Sequence, residues 1–252
     1  MSWWNRRINP ERRLGRRLIQ ATGALAVAAV PFTALLVLVE TSFAPLKRLD
    51  QGAADDLHAQ AIAHPAFARS MELISDVFQP LTWRVAVGAA VAWLLYRRAR
   101  NLAIWAATTI TVGGLLGLGL KVLVARARPH LPDPVALAPG ASFPSGHTVN
   151  ATLGSGILLL LVLPLVKGRW KALAWGLAVV ISLAVGFSRV ALGVHWVSDV
   201  LAGLVLGVAV VAATAVAFEA WRRDLGRRPA ETYKEGVEPE ARRKISPKGR
   251  TT

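Results

Sequence analysis

The sequence predicts an all-α fold: a bundle of six transmembrane helices with its reactive site on the extracytoplasmic side. Three observations predict it. Of the 252 residues 54% are hydrophobic and the mean hydropathy is +0.43, above the range of soluble chains. The Ala, Val and Leu residues gather into runs of roughly 17–25, the length of a bilayer-spanning helix. The chain carries a net charge of +15, and its Lys and Arg residues cluster in alternate connections between the runs.

The spans are read at 18–40, 80–96, 102–120, 147–166, 172–188 and 196–220. Residues 1–17 form a basic lead-in containing six arginines. The apolar run that follows is longer than the core of a signal peptide and contains Pro31, so it reads as an uncleaved first span. Residues 41–79 form the long external connection. There Phe67, Met71, Ile74 and Phe78 recur at helical spacing with Arg69, Glu72 and Asp76 between them, and Pro65 stands near the start. This predicts an amphipathic helix on the outer surface or over the site. Arg84 falls near the outer end of the second span, where a long side chain can snorkel to the interface. Basic turns at 97–101 and 167–171 join antiparallel neighbours. Residues 121–146 contain Pro129, Pro132, Pro134 and Pro139 and cannot span. The organisation is thus a lead-in (1–17), a six-span domain (18–221) and a basic tail (222–252) expected to be disordered.

Twenty-two Lys and Arg residues fall on the side of the termini and eight on the other. This bias places both termini in the cytoplasm and the chain in a cell membrane. The acidic residues divide seven and eight, so the whole net charge sits on the cytoplasmic face. The basic excess is therefore a topology signal, and nucleic acid is not an expected partner. The absence of cysteine excludes disulfides and thiolate chemistry. Oligomeric state is not legible.

Three motifs then stand at span ends on one side: Lys121 to Pro129 (K-x6-R-P), Pro144 to His147 (P-S-G-H), and Ser188 to Asp199 (S-R-x5-H-x3-D). Lys121, Arg128 and Arg189 can clamp the oxygens of a phosphate, arginine bidentately and lysine as a point charge. Each alone would read as a snorkelling cation. Ser145 is a favourable helix N-cap, and Gly146 allows close backbone approach at a helix N-terminus that attracts anions. His195 and Asp199 share a helical face, so the carboxylate can fix the imidazole tautomer and leave the other nitrogen to act as nucleophile or base. His147 follows one residue later, with the cations close by. His58, His64, Asp55 and Asp56 offer a weaker metal-binding pattern, and solvated surface is the expectation there. His130 lies either at the pocket or in plain loop.

Together the motifs, with their surroundings S-F-P-S-G-H-T and G-F-S-R-V-A-L-G-V-H-W-V-S-D-V, resemble the signature of the type 2 phosphatidic acid phosphatase family over roughly residues 85–220. That family includes lipid phosphate phosphatases, bacterial acid phosphatases and vanadium haloperoxidases. The resemblance implies that His195 forms a phosphohistidine, that Asp199 orients it, and that His147 protonates the leaving group. It implies that Lys121, Arg128, Ser145, Gly146 and Arg189 hold the phosphate, with no metal or cofactor. The expected substrate is a lipid phosphate: phosphatidic acid, another phospholipid phosphate or an isoprenyl diphosphate. Phosphotransfer to a lipid or glycan acceptor, and headgroup binding or flipping without cleavage, are the alternatives.

Overall fold

The computed structural model describes residues 29–246, and every regular element among them is helical. In chain order these are α1 (Ala29–Glu40), α2 (Ala44–Ala63), α3 (Pro65–Val77), α4 (Pro80–Tyr96), α5 (Arg100–Val124), α6 (Gly146–Val162), α7 (Arg169–Ala191) and α8 (Val197–Asp224). Two short helices follow, α9 (Thr232–Glu235) and α10 (Arg242–Ile245), the latter entered through a 3-10 turn at Pro239–Ala241. The basic lead-in and the first half of the expected 18–40 span lie outside the described residues.

Proline in the first turn opens α2, α3 and α4, where a missing N–H costs nothing. The helix α6 is the central stave: it packs on α4, α5, α7 and α8, and its residues from Thr148 to Leu161 are almost all buried. Small residues permit this closeness, as in other membrane bundles. A methyl group placed at Gly203 of α8 would lie 2.9 Å from Cβ of Thr148 and 3.1 Å from the carbonyl oxygen of Ser145. One at Gly186 of α7 would lie 2.5 Å from Val200. These contacts fix the depth at which the N-termini of α6 and α8 meet.

The outward faces are apolar: Leu118 is 60% exposed, Leu177 57% and Val208 60%. That is a lipid-facing pattern, since a soluble bundle would carry polar groups there. Four stretches, Pro65–Tyr96, α5, α7 and α8, are long and apolar enough to cross a membrane. The pair α1 and α2, bent by 83°, would make a fifth, and α6 is a shorter apolar helix of 17 residues. The helix α4 coincides with the expected 80–96. By contrast α5 and α7 run further than expected at both ends, which draws Lys121, Ser188 and Arg189 into final helical turns.

The expected amphipathic helix is α3. It packs on α2 and α7, with Phe67 edge-on to Phe187 at 6.4 Å and Phe78 stacked on Trp83 at 5.8 Å.

The expectation of a disordered tail is overturned for residues 225–246. Val237, Ala241 and Ile245 are buried in the main core, 1%, 3% and 1% exposed. Polar contacts bind the same segment across the end of the bundle where α4 finishes and α5 begins. Arg222 pairs with Glu219 and Glu240, Asn101 Nδ2 donates to Glu238 at 3.2 Å, and Arg97 Nη2 donates to the Ser246 carbonyl at 3.0 Å. Charge and low apolar content made the tail look unfoldable. Three apolar side chains at spacings of four are enough when a preformed core receives them.

Candidate active site

The three motifs converge at the end of the bundle where α5 and α7 finish and α6 and α8 begin. Lys121, Arg128, Gly146, His147, Arg189 and His195 line one cavity of about 300 Å³. The helix α5 closes on Ala125 in the left-handed region at φ 47°, which turns the chain so that the next residues re-enter the bundle end. The first turn of α6 presents its unpaired N–H groups beside Gly146 and His147, at the positive end of the helix dipole.

His195 is 2% exposed and Asp199 is fully buried. Asp199 Oδ2 lies 3.3 Å from His195 Nδ1 and accepts the Trp196 N–H at 3.0 Å. On the other ring edge, Arg128 Nη1 lies 3.2 Å from His195 Nε2. A guanidinium can only donate, so Nε2 accepts and the ring proton is on Nδ1, facing the carboxylate. The backbone carbonyl of Arg189 accepts the N–H groups of Val194 and His195, both at 3.2 Å, which pins the loop carrying the imidazole to the end of α7. Burial pushes the His195 pKa down to about 4, with the Asp199 hydrogen bond and charge opposing it and the Arg128 and Arg189 charges adding to it. The imidazole is therefore neutral near pH 7, with a lone pair on Nε2.

Each cation is held in place. Arg128 donates to the carbonyls of Val194 (2.6 Å), Gly140 (2.9 Å) and Pro139 (3.0 Å). Lys121 Nζ donates to the Ala141 carbonyl at 2.7 Å. Arg189 is 8% exposed and donates through Nη1 to Ser75 of α3, while its buried Nε has no partner among the described residues. A buried unpaired guanidinium nitrogen is costly unless an anion meets it.

Other predicted residues sit differently. Ser145 is at the N-cap position of α6 but its side chain makes no capping bond. Its Oγ accepts from Thr148 Oγ1 at 3.0 Å, and its N–H donates to the Asp199 carbonyl at 3.0 Å. It is fully buried and braces the cavity wall from behind. Ser188 is spent within α7, donating to the Val185 carbonyl at 2.8 Å. His58 is buried and lies 2.6 Å from the Pro132 carbonyl, tying α2 to the 125–145 loop. His130 is exposed and outside the cavity lining. Among the described residues no three His, Asp or Glu side chains converge as metal ligands would.

Sequence reasoning missed a second layer. Arg126 donates to Asp199 Oδ1 at 2.7 Å and to Asp50 Oδ2 at 2.8 Å. Asp50, 2% exposed on α2, also accepts from Ser198 N at 2.9 Å and Ser198 Oγ at 2.5 Å. One guanidinium thus bridges two buried carboxylates, one of them the partner of His195. Asn150 lines the cavity too, donating to the Gly146 carbonyl at 2.8 Å with its Oδ1 unpaired.

This chain is similar to proteins whose activities are known. The PAP2 superfamily model matches residues 102–223. Over 119 residues the chain is 33% identical to an undecaprenyl-diphosphatase of Sulfolobus acidocaldarius, covering 45% of this chain and 54% of that one. Over 97 residues it is 40% identical to phosphatidylglycerophosphatase B of Bacillus subtilis, covering 37% and 47% respectively. The chain thus spans about half the length of these relatives. The crystal structure of a transmembrane PAP2-type phosphatidylglycerolphosphate phosphatase from Bacillus subtilis shares the fold, with a TM-score of 0.62 over 83% of this chain and 98% of that one at 24% identity. Residues 102–223, which contain all the cavity-lining motif residues together with Ser145 and Asp199, match the PAP2 superfamily.

Proposed function

We propose that this protein is a membrane lipid phosphatase that works through a phosphohistidine on His195. The observation that carries the reading is the neutral His195, with Nδ1 facing Asp199 and Nε2 facing the Arg128 guanidinium, in a cavity lined also by Lys121, Arg189 and His147. In this scheme Lys121, Arg128, Arg189 and the N-terminus of α6 at Gly146 hold the phosphoryl oxygens, with Ser145 bracing that N-terminus from behind. Nε2 attacks phosphorus in line, the bond from phosphorus to the ester oxygen breaks, and His147 protonates the leaving alkoxide. The Nδ1 proton stays hydrogen-bonded to Asp199, which offsets the charge growing on the ring. Water then cleaves the N–P bond, releasing inorganic phosphate and restoring His195. No step needs a metal.

The lipid character of the substrate is supported by the other end of the cavity. Beyond the cations its wall continues over Gly114, Gly117 and Leu118 of α5. A phosphate held at the cations would have its tail directed along an apolar helix face that the bilayer also touches. Phospholipid phosphates and isoprenyl diphosphates fit this division, and the named relatives act on such lipids. The membrane arrangement we propose has six spans, both termini in the cytoplasm, and the site at the outer surface. The Lys and Arg bias supports it, as does the clustering of all three motifs at one end of the bundle.

The test is phosphate release by detergent-solubilised protein, with chelator, from phosphatidic acid, phosphatidylglycerophosphate and undecaprenyl diphosphate. His195→Ala should abolish release from whichever lipid the wild type hydrolyses, and vanadate should inhibit. Wild-type turnover in the mutant, or strict dependence on a divalent ion, would sink the mechanism.

A further inference from the structure

Among the described residues, one cation of the cavity lies outside all three motifs. Arg84, in the second turn of α4, lines it together with Lys121, Arg128 and Arg189. It is exposed, and among the described residues it has no hydrogen-bond or ion-pair partner. The other three cations are anchored by carbonyls or by Ser75. Among the described residues no Asp or Glu lines the cavity. A guanidinium one turn into an apolar helix is costly and marks a functional site unless an anion or the interface takes it up.

Lys121, Arg128 and Arg189 already present three cations to the roughly two negative charges of a phosphomonoester. The buried Asp50, Arg126 and Asp199 group behind them, and Asp76 near Arg189, each bring one negative charge. A second phosphate on the leaving-group side brings at least one further negative charge, which the unpartnered Arg84 can meet.

Position agrees. The helices α4 and α5 are antiparallel neighbours joined by the 97–99 turn, so the start of α4 and the end of α5 lie at one end of the bundle. Arg84 is four residues into α4, about 6 Å along its axis, and Lys121 is three residues from the end of α5, about 5 Å. Gly117 and Gly114 lie one and two turns deeper. Arg84 thus stands where the cavity wall passes from cations to apolar surface. It reaches the cavity from α4, whereas His195 reaches it from the loop between α7 and α8.

Resting on the phosphatase reading above, we infer that Arg84 forms a subsite for a second phosphate, between the scissile phosphorus and the lipid tail, and so selects lipids that carry two phosphates. In a prenyl diphosphate His195 Nε2 bonds to the terminal phosphorus. The bond from that phosphorus to the bridging oxygen breaks, and its electron pair leaves on the prenyl monophosphate, whose new charge Arg84 meets. Water then releases inorganic phosphate from the ring. In a phosphatidylglycerophosphate the second group is the phosphodiester across the glycerol, and the leaving oxygen is an alcohol protonated by His147.

The experiment compares same-tail pairs in mixed micelles: farnesyl diphosphate against farnesyl monophosphate, and phosphatidylglycerophosphate against phosphatidic acid. The wild type, Arg84→Gln and Arg84→Lys are assayed for kcat/KM. Loss of one charge-assisted contact should lower the two-phosphate over one-phosphate ratio about tenfold or more in Arg84→Gln, with partial recovery in Arg84→Lys. A fall in the first pair identifies a diphosphate, and a fall in the second a remote phosphodiester. Ratios in Arg84→Gln within about twofold of wild type for both pairs would overturn the subsite while leaving the phosphatase intact. A wild type that hydrolyses none of the four lipids would overturn the phosphatase reading and the subsite with it.

Discussion

Replacing Arg126 with glutamine removes the one cation shared by Asp50 and Asp199 and keeps a polar side chain of similar reach. Both carboxylates are essentially buried, 2% and 0% exposed, and Arg126 meets them at 2.8 and 2.7 Å. Without it two buried negative charges face each other, a situation worth about 3–5 kcal/mol when one partner of a buried pair is lost. The cluster can escape that cost by binding a proton. At about 1.4 kcal/mol per pKa unit, a cost near 3 kcal/mol corresponds to roughly two units. The proton would sit on Asp199 or on the ring of His195, whose pKa is otherwise about 4, and either location removes the productive pair of a neutral imidazole and its carboxylate. The acidic limb of kcat/KM should therefore move from near 4 in the wild type to near 6 in the variant.

The assay is phosphate release against pH from 4.5 to 8.5 for wild type and Arg126→Gln on one phosphomonoester lipid. Dividing one profile by the other cancels the ionisation of the substrate. The activity ratio of variant to wild type should be lowest at the acid end of this range and rise by about tenfold or more from pH 5 toward pH 8. A residual deficit at pH 8, on the order of tenfold, reflects the lost hydrogen bond to Asp199. A ratio flat across the whole range, or activity equal to wild type at pH 5, would refute the reasoning. In the first case Arg126 would be a brace only, and in the second it would be no part of the site.

Other outcomes follow from the same packing. Gly203→Ala places a methyl group 3.1 Å from the Ser145 carbonyl and 2.9 Å from Thr148 Cβ. It should cost about 1–3 kcal/mol in stability and shift Ser145 against Asp199, so that kcat falls together with the melting temperature. Ile245→Ala should lower stability by about 2–4 kcal/mol, since Ile245 is 1% exposed in the core, with kcat and KM unchanged; a melting temperature equal to wild type would show that the tail is not packed in solution. His195 makes the fold acid-sensitive. Its imidazole takes up a proton below about 6.5 when unfolded and only near 4 when folded, so stability is complete above 6.5 and declines as the pH falls to 4. Melting temperatures at pH 7 and pH 5 measure this decline, and it should shrink in His195→Gln.

The part of the site legible in the sequence is the part made by local stretches. The spacing of four between His195 and Asp199, the Ser-Gly opening of α6 and the cations at span ends each leave a mark within a dozen residues. Asp50 leaves none. It lies in a segment that also holds Asp55 and Asp56, and its partners Arg126 and Ser198 stand 76 and 148 positions away. Arg126 was hidden differently, inside the unspecified stretch between Lys121 and Arg128. In the tail the spacing of Val237, Ala241 and Ile245 carries the packing, and a charged composition masks it.

The bend between α1 and α2 gives the missing layer its cause. The first apolar run reads as a span that simply leaves the bilayer. Instead the chain turns by 83° across residues 41–43, and α2 then packs on α7 and α8. Only helix ends can carry charged groups and irregular backbone at low cost beside lipid, so the reactive residues collect there and need something to close over them. The helices α2 and α3 do so with polar groups aimed inward: Asp50 toward Arg126 and Ser198, Ser75 toward Arg189, and His58 toward the Pro132 carbonyl. The segment between the first two apolar runs thus supplies the hydrogen bonds that hold an arginine of the clamp and, through Arg126, the carboxylate behind His195.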